Sequence, residues 1–284
     1  IMFTRWVLIW KRLSNRPVDL LAFGICVLSL ILILVGPWVT PKDPFLSDIR
    51  NRLKPPSIEF PLGTDSLGRD ILSRVIYGFR PSMTVGLVAV ILATGVALIF
   101  GLIAGWYGGY ISLVIMRLTD LLLAFPWFLL ILTIVAVLGP SLPNVFLALG
   151  LGLVPSYIRL VRGLVLSVRE REFVQAAQAL GESGTSIMLR YILPNSYSPI
   201  LVQVTLAIPR TIMAGAALSF LGMGVQPPTP EWGVMLSDAR EYITTAPHMM
   251  LFPALTLMIV SLSFNLFGDA LRDILDPRME YIVR

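Results

Sequence analysis

Long stretches without a single charged residue constrain what this chain can fold into. Pro81 to Met116 and Leu121 to Ile158 contain no Asp, Glu, Lys or Arg, and neither does Leu20 to Pro41 near the N-terminus. A membrane-spanning helix needs about 20 mainly apolar residues, so the two longer runs are long enough for more than one span each. The pattern predicts an all-α protein that crosses a membrane several times.

Composition narrows the class further. Of the 284 residues, 56% are hydrophobic and 14% are charged, whereas soluble domains carry about 25% charged residues. The net charge of +5 comes from basic residues scattered between hydrophobic runs, which indicates positive-inside loops rather than nucleic-acid binding. The single cysteine, Cys26, cannot form an intrachain disulfide, and the single histidine, His248, has no neighbouring Cys, so no metal site is predicted.

Turn signals divide the uncharged runs. Trp106 to Tyr110 combines interfacial aromatic residues with glycines, and Gly139 to Asn144 is rich in Gly and Pro. The prolines between Gly222 and Pro247 predict an irregular loop without a regular helix. Six membrane spans are therefore predicted, near residues 20–41, 82–106, 112–138, 143–162, 197–220 and 249–271.

Basic residues predict the orientation. Lysines and arginines precede the first span, and arginines concentrate in the 159–190 loop. Because cytoplasmic loops carry an excess of these residues, both termini are predicted to be cytoplasmic. Residues 42–80 and 222–247 are then external. The 42–80 segment is itself rich in Lys and Arg, which opposes this orientation, so the prediction depends on the other loops.

A short amphipathic segment lies within the arginine-rich loop. Its apolar residues Phe173, Val174, Ala177 and Leu180 recur at helical spacing and form one face. Gly181 is a natural stop, because glycine adopts the left-handed conformation that ends helices. Such a helix, held between two spans, is suited to a cleft in another protein. A helix lying on the membrane surface is the alternative.

This segment resembles the EAA loop of ABC importer permeases. Gln175-Ala176-Ala177, Gly181 and Leu193-Pro194 occur at that loop's spacings, with Gln175 where Glu is usual. Together with other motifs, it makes nearly the whole chain similar to the C-type permease subunit of dipeptide, oligopeptide and nickel ABC importers. The other motifs, in order, are Leu62 to Asp70, Met116 to Asp120 with Phe125-Pro126, Ser219 to Pro228, and Gly268 to Pro277.

The resemblance implies a type I ABC importer permease fold of six transmembrane helices, with an external segment between spans one and two. It also implies an ATPase-coupling role for the amphipathic loop. The domains expected are an N-terminal part, 1–80; a transmembrane domain, 81–276, with a coupling loop at 169–195; and a cytoplasmic tail, 277–284. The expected coupling residues are Phe173, Val174, Gln175, Ala176, Ala177, Leu180, Gly181, Glu182, Leu193 and Pro194.

Partners and cofactors follow from the same resemblance. It implies a homologous second permease subunit, two ATPase subunits and an extracytoplasmic substrate-binding protein, in the bacterial cytoplasmic (inner) membrane. The chain has no Gly-rich Walker loop, so it is predicted to be no enzyme and to bind no cofactor itself. ATP and Mg²⁺ then belong to the ATPase subunits.

Two groups of charges are interpreted as structural. One group is Asp65, Arg69 and Asp70, which are interpreted as turn residues, with a substrate site as the alternative. As turn residues, Thr64 and Asp65 would cap a helix that begins near Ile71. Farther along, Arg117 and Asp120 are three residues apart on one helix face. They are predicted to form an ion pair near the interface, with a functional role as the alternative.

Arg210 is the more informative membrane charge. It follows Pro209 within predicted span five, and an arginine exposed to hydrocarbon costs about 3 kcal/mol or more. It is therefore predicted to face the interior of a permease pair, where it attracts a peptide carboxylate, gates the path, or pairs with an acidic residue of the partner subunit. Gln203 and Asn265 are weaker pathway candidates, because neutral polar groups also serve helix packing.

The substrate expected from the resemblance is a di- or oligopeptide, with nickel, a metal chelate or glutathione as the alternative. A different class of protein, an ATP-independent secondary carrier, would place paired acidic residues at mid-membrane, and no such pair is evident in the sequence. A membrane-embedded enzyme would need a reactive constellation that the chain does not show.

Overall fold

The computed structural model describes residues 17–275, which are mainly helical. A 3₁₀ turn, Ile49–Asn51, follows the first helix, and another, Arg240–Tyr242, precedes the last. A π-helical turn, Met188–Ile192, joins α7 to α8. The α-helices are α1, Pro17–Val39; α2, Ile71–Tyr107; α3, Gly109–Leu123; α4, Trp127–Leu138; α5, Leu142–Arg169; α6, Glu172–Ala179; α7, Gly184–Ile187; α8, Leu193–Phe220; α9, Trp232–Ala239; and α10, His248–Leu275.

Within the described residues, five helical stretches are long and apolar enough to span a membrane. They are α1, α2, α5, the stretch from α7 through α8, and α10. A sixth span arises if α3 and α4 are counted together, and these two helices meet at an angle of 89°. The chain is thus an all-α, multi-pass membrane protein.

The bend between α3 and α4 corrects the prediction of one continuous span over 112–138. Helix α3 ends at Leu123, and Pro126 caps the start of α4. Proline has no amide hydrogen and disfavours helical backbone in the residue before it, here Phe125. Phe125-Pro126 indicates the interruption in the sequence. The angle between α3 and α4 depends on how the two helices pack against their neighbours.

Helix α2 begins well before the predicted start of span two. Its cap is Asp70, whose Oδ2 accepts hydrogen bonds from the Ser73 amide at 2.8 Å and the Ser73 hydroxyl at 2.6 Å. The prediction that Thr64 and Asp65 cap this helix is therefore wrong, because the backbone amides that donate to their side chains belong to Lys54, Leu67 and Arg69, which precede the helix. Helix α2 continues through residues 80 and 81, and the domain division placed there stays a prediction.

Close approach of α2 and α5 forms the centre of the bundle. A Cβ added at Gly101 would lie 2.6 Å from Val161 Cβ, and one added at Gly105 would lie 2.5 Å from Val165 Cβ. The two glycines are four residues apart and share one face of α2. Small residues at this spacing let transmembrane helices pack with their backbones close together. The pairing therefore fixes α5, which leads into the predicted coupling loop (residues 169–195), against α2.

A buried ion cluster attaches the 40–70 segment to the bundle. Arg69 Nε lies 2.6 Å from Asp65 Oδ2, and Arg74 Nε of α2 lies 3.5 Å from the same oxygen. Arg69 Nη2 also lies 3.7 Å from Asp238 Oδ2 on α9. Burial raises the pKa of Asp238, and the two arginines oppose that rise. These contacts give Asp65 and Arg69 the structural role predicted for them.

Helix α9 corrects the prediction that residues 222–247 contain no regular helix. It begins at Trp232, two residues after Pro230, the last of the prolines in Pro227 to Glu231. Glu231 is its cap, with Oε2 accepting a hydrogen bond from the Val234 amide at 3.0 Å. Glu231 is buried, and its Oε1 accepts a hydrogen bond from Ser82 Oγ at 3.0 Å. Prolines thus set where the helix starts, and a contact with α2 fixes it.

Candidate coupling and translocation site

Gly181 ends helix α6, as its position in the sequence predicts. Its φ of +78° lies in the left-handed region, where glycine has no Cβ to clash. The Gly181 amide donates to the Gln178 carbonyl at 3.0 Å. The next amide, of Glu182, donates to the Ala177 carbonyl at 3.1 Å. These bonds form a Schellman motif, which supplies partners for carbonyls of the last helical turn.

The apolar face predicted for α6 is only partly correct. Val174 and Ala177 are buried, at 0% and 5% exposure, where α6 packs on α5 and α7. Leu180 is 88% exposed and Phe173 is 39% exposed, so neither belongs to the buried face. Ala176 is also exposed. The helix therefore presents small and apolar side chains outward as well as inward, at the point where the chain turns.

Two contacts hold the coupling loop (residues 169–195) against the end of α2. Arg169 Nη1 donates to the Gly105 carbonyl at 3.3 Å and the Trp106 carbonyl at 3.0 Å. Gly184 lies so close to the Trp106 indole nitrogen that no Cβ would fit between them. A side chain at position 184 would therefore displace the Trp106 indole, and the two contacts hold this part of the loop against the end of α2.

Glu182 and Arg190 connect α6 to the helix that follows. Ser186 Oγ donates to Glu182 Oε1 at 2.6 Å, and Arg190 Nη1 lies 3.6 Å from the same oxygen. The hydrogen bond from Ser186 lowers the pKa of Glu182, so this carboxylate is charged at neutral pH. Beyond the π-helical turn, Leu193 and Pro194 begin α8. The predicted Leu-Pro position therefore marks the start of a long helix continuous with the loop.

Arg210 lines a cavity of about 230 Å³ between α5, α8 and the bend that joins α3 to α4. Its guanidinium carbon lies 4.7 Å from the centre of the Trp127 ring. Gln203, predicted with it, lines the same cavity. Asn265 is exposed on α10 and is not among the lining residues. The structure thus brings two of the three pathway candidates together and leaves the third apart.

The prediction that Asp120 pairs with Arg117 is wrong, because Asp120 pairs with a different arginine. Asp120 Oδ1 lies 2.7 Å from Nη2 of Arg159, which belongs to α5. Both side chains are about half exposed, at 48% and 55%, so the pair contributes little stability by itself. Within residues 17–275, Arg117 forms no ion pair. Helical spacing alone placed Arg117 near Asp120, whereas the packing of α3 on α5 brings Arg159 closer.

Comparison with known proteins identifies the family. Residues 97–281, more than half of the chain, match the family model of the binding-protein-dependent transport system inner membrane component. The chain belongs to this family. Residues 4–56 of the permease also match the N-terminal transmembrane domain of oligopeptide transport permease C. The permease is therefore a multi-pass inner-membrane component of an ABC importer, in which separate ATPase subunits hydrolyse ATP.

Individual relatives cover almost the whole permease. It is 45% identical to the dipeptide transport system permease protein of Alkalihalophilus pseudofirmus over 275 residues, which is 97% of this chain and 90% of that protein. It is 41% identical to the glutathione transport system permease protein of Shigella sonnei over 278 residues, 98% of this chain and 92% of that protein. These findings confirm the predicted resemblance to C-type permeases and exclude the secondary carrier and the membrane enzyme.

Sequence reasoning missed the aromatic residues that support both parts of the site. Trp127 stacks under Arg210, and Trp106 packs on Gly184. Tyr157 donates from its hydroxyl to the Gln203 carbonyl at 3.2 Å. One sequence feature could have drawn attention to Trp127: it follows Phe125-Pro126 at a break within an uncharged run. Trp106 read as an interfacial anchor, and nothing local to its sequence indicates its contact with Gly184.

Proposed function

We propose that this permease forms half of the translocation pathway of an importer for di- and oligopeptides. The observation that carries the proposal is the near full-length similarity to a dipeptide permease, at 45% identity. The relatives named for glutathione transport support the same class, because glutathione is itself a tripeptide. Nickel or a metal chelate is the alternative, and the cationic Arg210 in the cavity favours a peptide over a free metal ion.

Transport by the reconstituted complex tests the proposed substrate. The complex contains this permease, a homologous second permease, two ATPases that bind ATP and Mg²⁺, and an extracytoplasmic binding protein. We expect ATP-dependent uptake of radiolabelled dialanine or trialanine into proteoliposomes, with no comparable uptake of Ni²⁺. Uptake of Ni²⁺ without peptide uptake would contradict the peptide assignment. Uptake of glutathione alone would restrict the substrate to that peptide.

The coupling loop is proposed to dock in a cleft of an ATPase subunit. Support comes from Leu180 and Ala176, whose apolar side chains are exposed at the end of α6. The links from Arg169 and Gly184 to α2, and from the π-helical turn to α8, then carry ATPase closure into two spans. Packed helices transmit such motion as rigid bodies.

We propose that both termini are cytoplasmic and that residues 42–80 and 222–247 are external. In a Cys26→Ser background, a cysteine at position 57 should react with a membrane-impermeant maleimide added from outside. A cysteine at position 176, on the exposed side of α6, should react only from the cytoplasmic side. Reaction of position 57 from the cytoplasmic side only would reverse the proposed orientation. Cys26 is a buried free cysteine, and its replacement removes background labelling.

A further inference from the structure

The cavity beside Arg210 has one charged lining residue. Its walls come from the α3–α4 bend, from α5 and from α8. Arg210 is the single charged side chain among the lining residues, and the other polar groups belong to Ser156, Tyr157, Gln203 and Trp127. Gln203 and Arg210 are seven residues apart, so they share one face of α8. Arg210 and Gln203 are also exposed on the surface of this chain, so the open side of the cavity presents a positive charge beside neutral hydrogen-bonding groups.

Within the described part of the chain, no carboxylate pairs with Arg210. Asp120, on the helix before the bend, is engaged with Arg159 at 2.7 Å. The contact recorded for the guanidinium is the Trp127 ring, at 4.7 Å. A cation–π contact offsets part of the cost of desolvating the cation but does not neutralise it. The cavity therefore keeps an electrostatic preference for an anionic group.

Trp127 fixes the guanidinium in a form that can bind a carboxylate. The indole lies against Gly152 of α5, where an added Cβ would be 2.9 Å from Trp127 Nε1. A guanidinium stacked on an aromatic ring keeps its N–H groups free at the edge of its plane. Those N–H groups match the two oxygens of a carboxylate, which they bind in bidentate fashion. Lysine at this position would supply charge without that geometry.

We propose that the Arg210–Trp127 pair binds an acidic side chain of the substrate peptide during passage and so sets a charge preference in the pathway itself. The inference rests on the proposed function as a peptide importer and adds the group that is recognised. The positive charge of Arg210 would also repel a free divalent cation from this cavity. The alternative is that Arg210 pairs with an acidic side chain of the partner permease, and this alternative predicts a different experimental result.

The test compares three dipeptides that share both termini: alanyl-glutamate, alanyl-glutamine and alanyl-lysine. Uptake by the reconstituted complex is measured with the binding protein saturated by each peptide, as verified by calorimetry, so differences arise after delivery. The variants are Arg210→Gln, Arg210→Lys, Arg210→Glu and Trp127→Leu. Arg117→Gln is the matched control, because it removes an exposed arginine that lies outside the cavity.

The wild-type complex is expected to transport alanyl-glutamate faster than alanyl-lysine. Arg210→Gln should reduce that ratio by about tenfold, the lower end of what a charge-assisted hydrogen bond contributes. Arg210→Glu should reverse it, and Arg210→Lys and Trp127→Leu should lie between Arg210→Gln and wild type. Arg117→Gln should leave it unchanged. If Arg210→Glu does not assemble, the difference between Arg210→Gln and Arg210→Lys decides.

Two results would overturn the inference while leaving the peptide function intact. One is a ratio that stays the same in Arg210→Gln while peptide uptake continues. The other is loss of the permease pair on size-exclusion chromatography for Arg210→Gln and Arg210→Glu, with an unchanged ratio in the assembled fraction, which indicates an ion pair with the partner subunit. Failure of the wild-type complex to transport any of the peptides would instead contradict the proposed function.

Discussion

Gly181→Asp is expected to abolish coupled transport. Gly181 is exposed, and no atom of this chain lies within 4 Å of a Cβ added there. The substitution therefore meets no atom of the permease. Its backbone strain at positive φ is matched in the control Gly222→Asp, so an additional severe effect must come from contact with another subunit. An unpaired carboxylate buried at such a contact costs several kcal/mol, so ATPase affinity should fall roughly 100-fold or more. Co-purification of the ATPases and the ratio of peptide transported to ATP hydrolysed measure this.

Two variants isolate the cause. Gly222 has a φ of +77°, against +78° for Gly181, and it also has nothing within 4 Å of an added Cβ. Gly222→Asp, on the opposite side of the proposed topology, thus imposes the same strain and charge and should leave ATPase binding intact. Gly181→Asn has the size of Asp without its charge and tolerates positive φ, so its effect should be smaller. Normal assembly and transport by Gly181→Asp would exclude docking of α6.

Asp65→Ala is expected to destabilise the permease by about 3–5 kcal/mol, the cost of breaking a buried ion pair from one side. Asp65 lies 2.6 Å from Arg69 Nε and 3.5 Å from Arg74 Nε, and these two arginine side chains are only 7% and 2% exposed. Its removal leaves two buried guanidinium groups with only the more distant Asp238 carboxylate. Denaturant titration in mild detergent measures the loss, and faster tryptic cleavage within residues 40–70 should accompany it.

Glu59→Ala is the matched control for that prediction. Glu59 belongs to the same segment and lies 4.0 Å from Lys42, but its side chain is 69% exposed. An exposed pair of this kind contributes about 0–1 kcal/mol, so the variant should unfold close to the wild-type midpoint. Equal destabilisation by Asp65→Ala and Glu59→Ala would show that the buried cluster does not hold the segment in place.

Features that depend on local composition were predictable from the sequence. Long uncharged apolar runs predict membrane helices, because hydrocarbon excludes charges and requires internal hydrogen bonds. Span five was predicted to end at residue 220, and α8 ends at Phe220. Gly181 was predicted to end α6 because the left-handed conformation is a property of the residue itself. The family, too, was recognisable from motifs that occur in order along the chain.

Choices between equivalent partners and faces were decided only by the tertiary structure. Helical spacing predicted that Asp120 pairs with Arg117. The packing of α3 on α5 instead places Arg159, which is distant in sequence, within ion-pair distance of Asp120. The period of α6 predicted its apolar positions, but the neighbouring helices bury Val174 and leave Leu180 outside. Arg210 was recognisable as a charge that needs a polar site, because exposing a guanidinium to hydrocarbon is costly wherever it occurs. The cavity that Arg210 and Trp127 line depends on the bend at Pro126. The direction of that bend is set by long-range packing, which no local sequence pattern encodes.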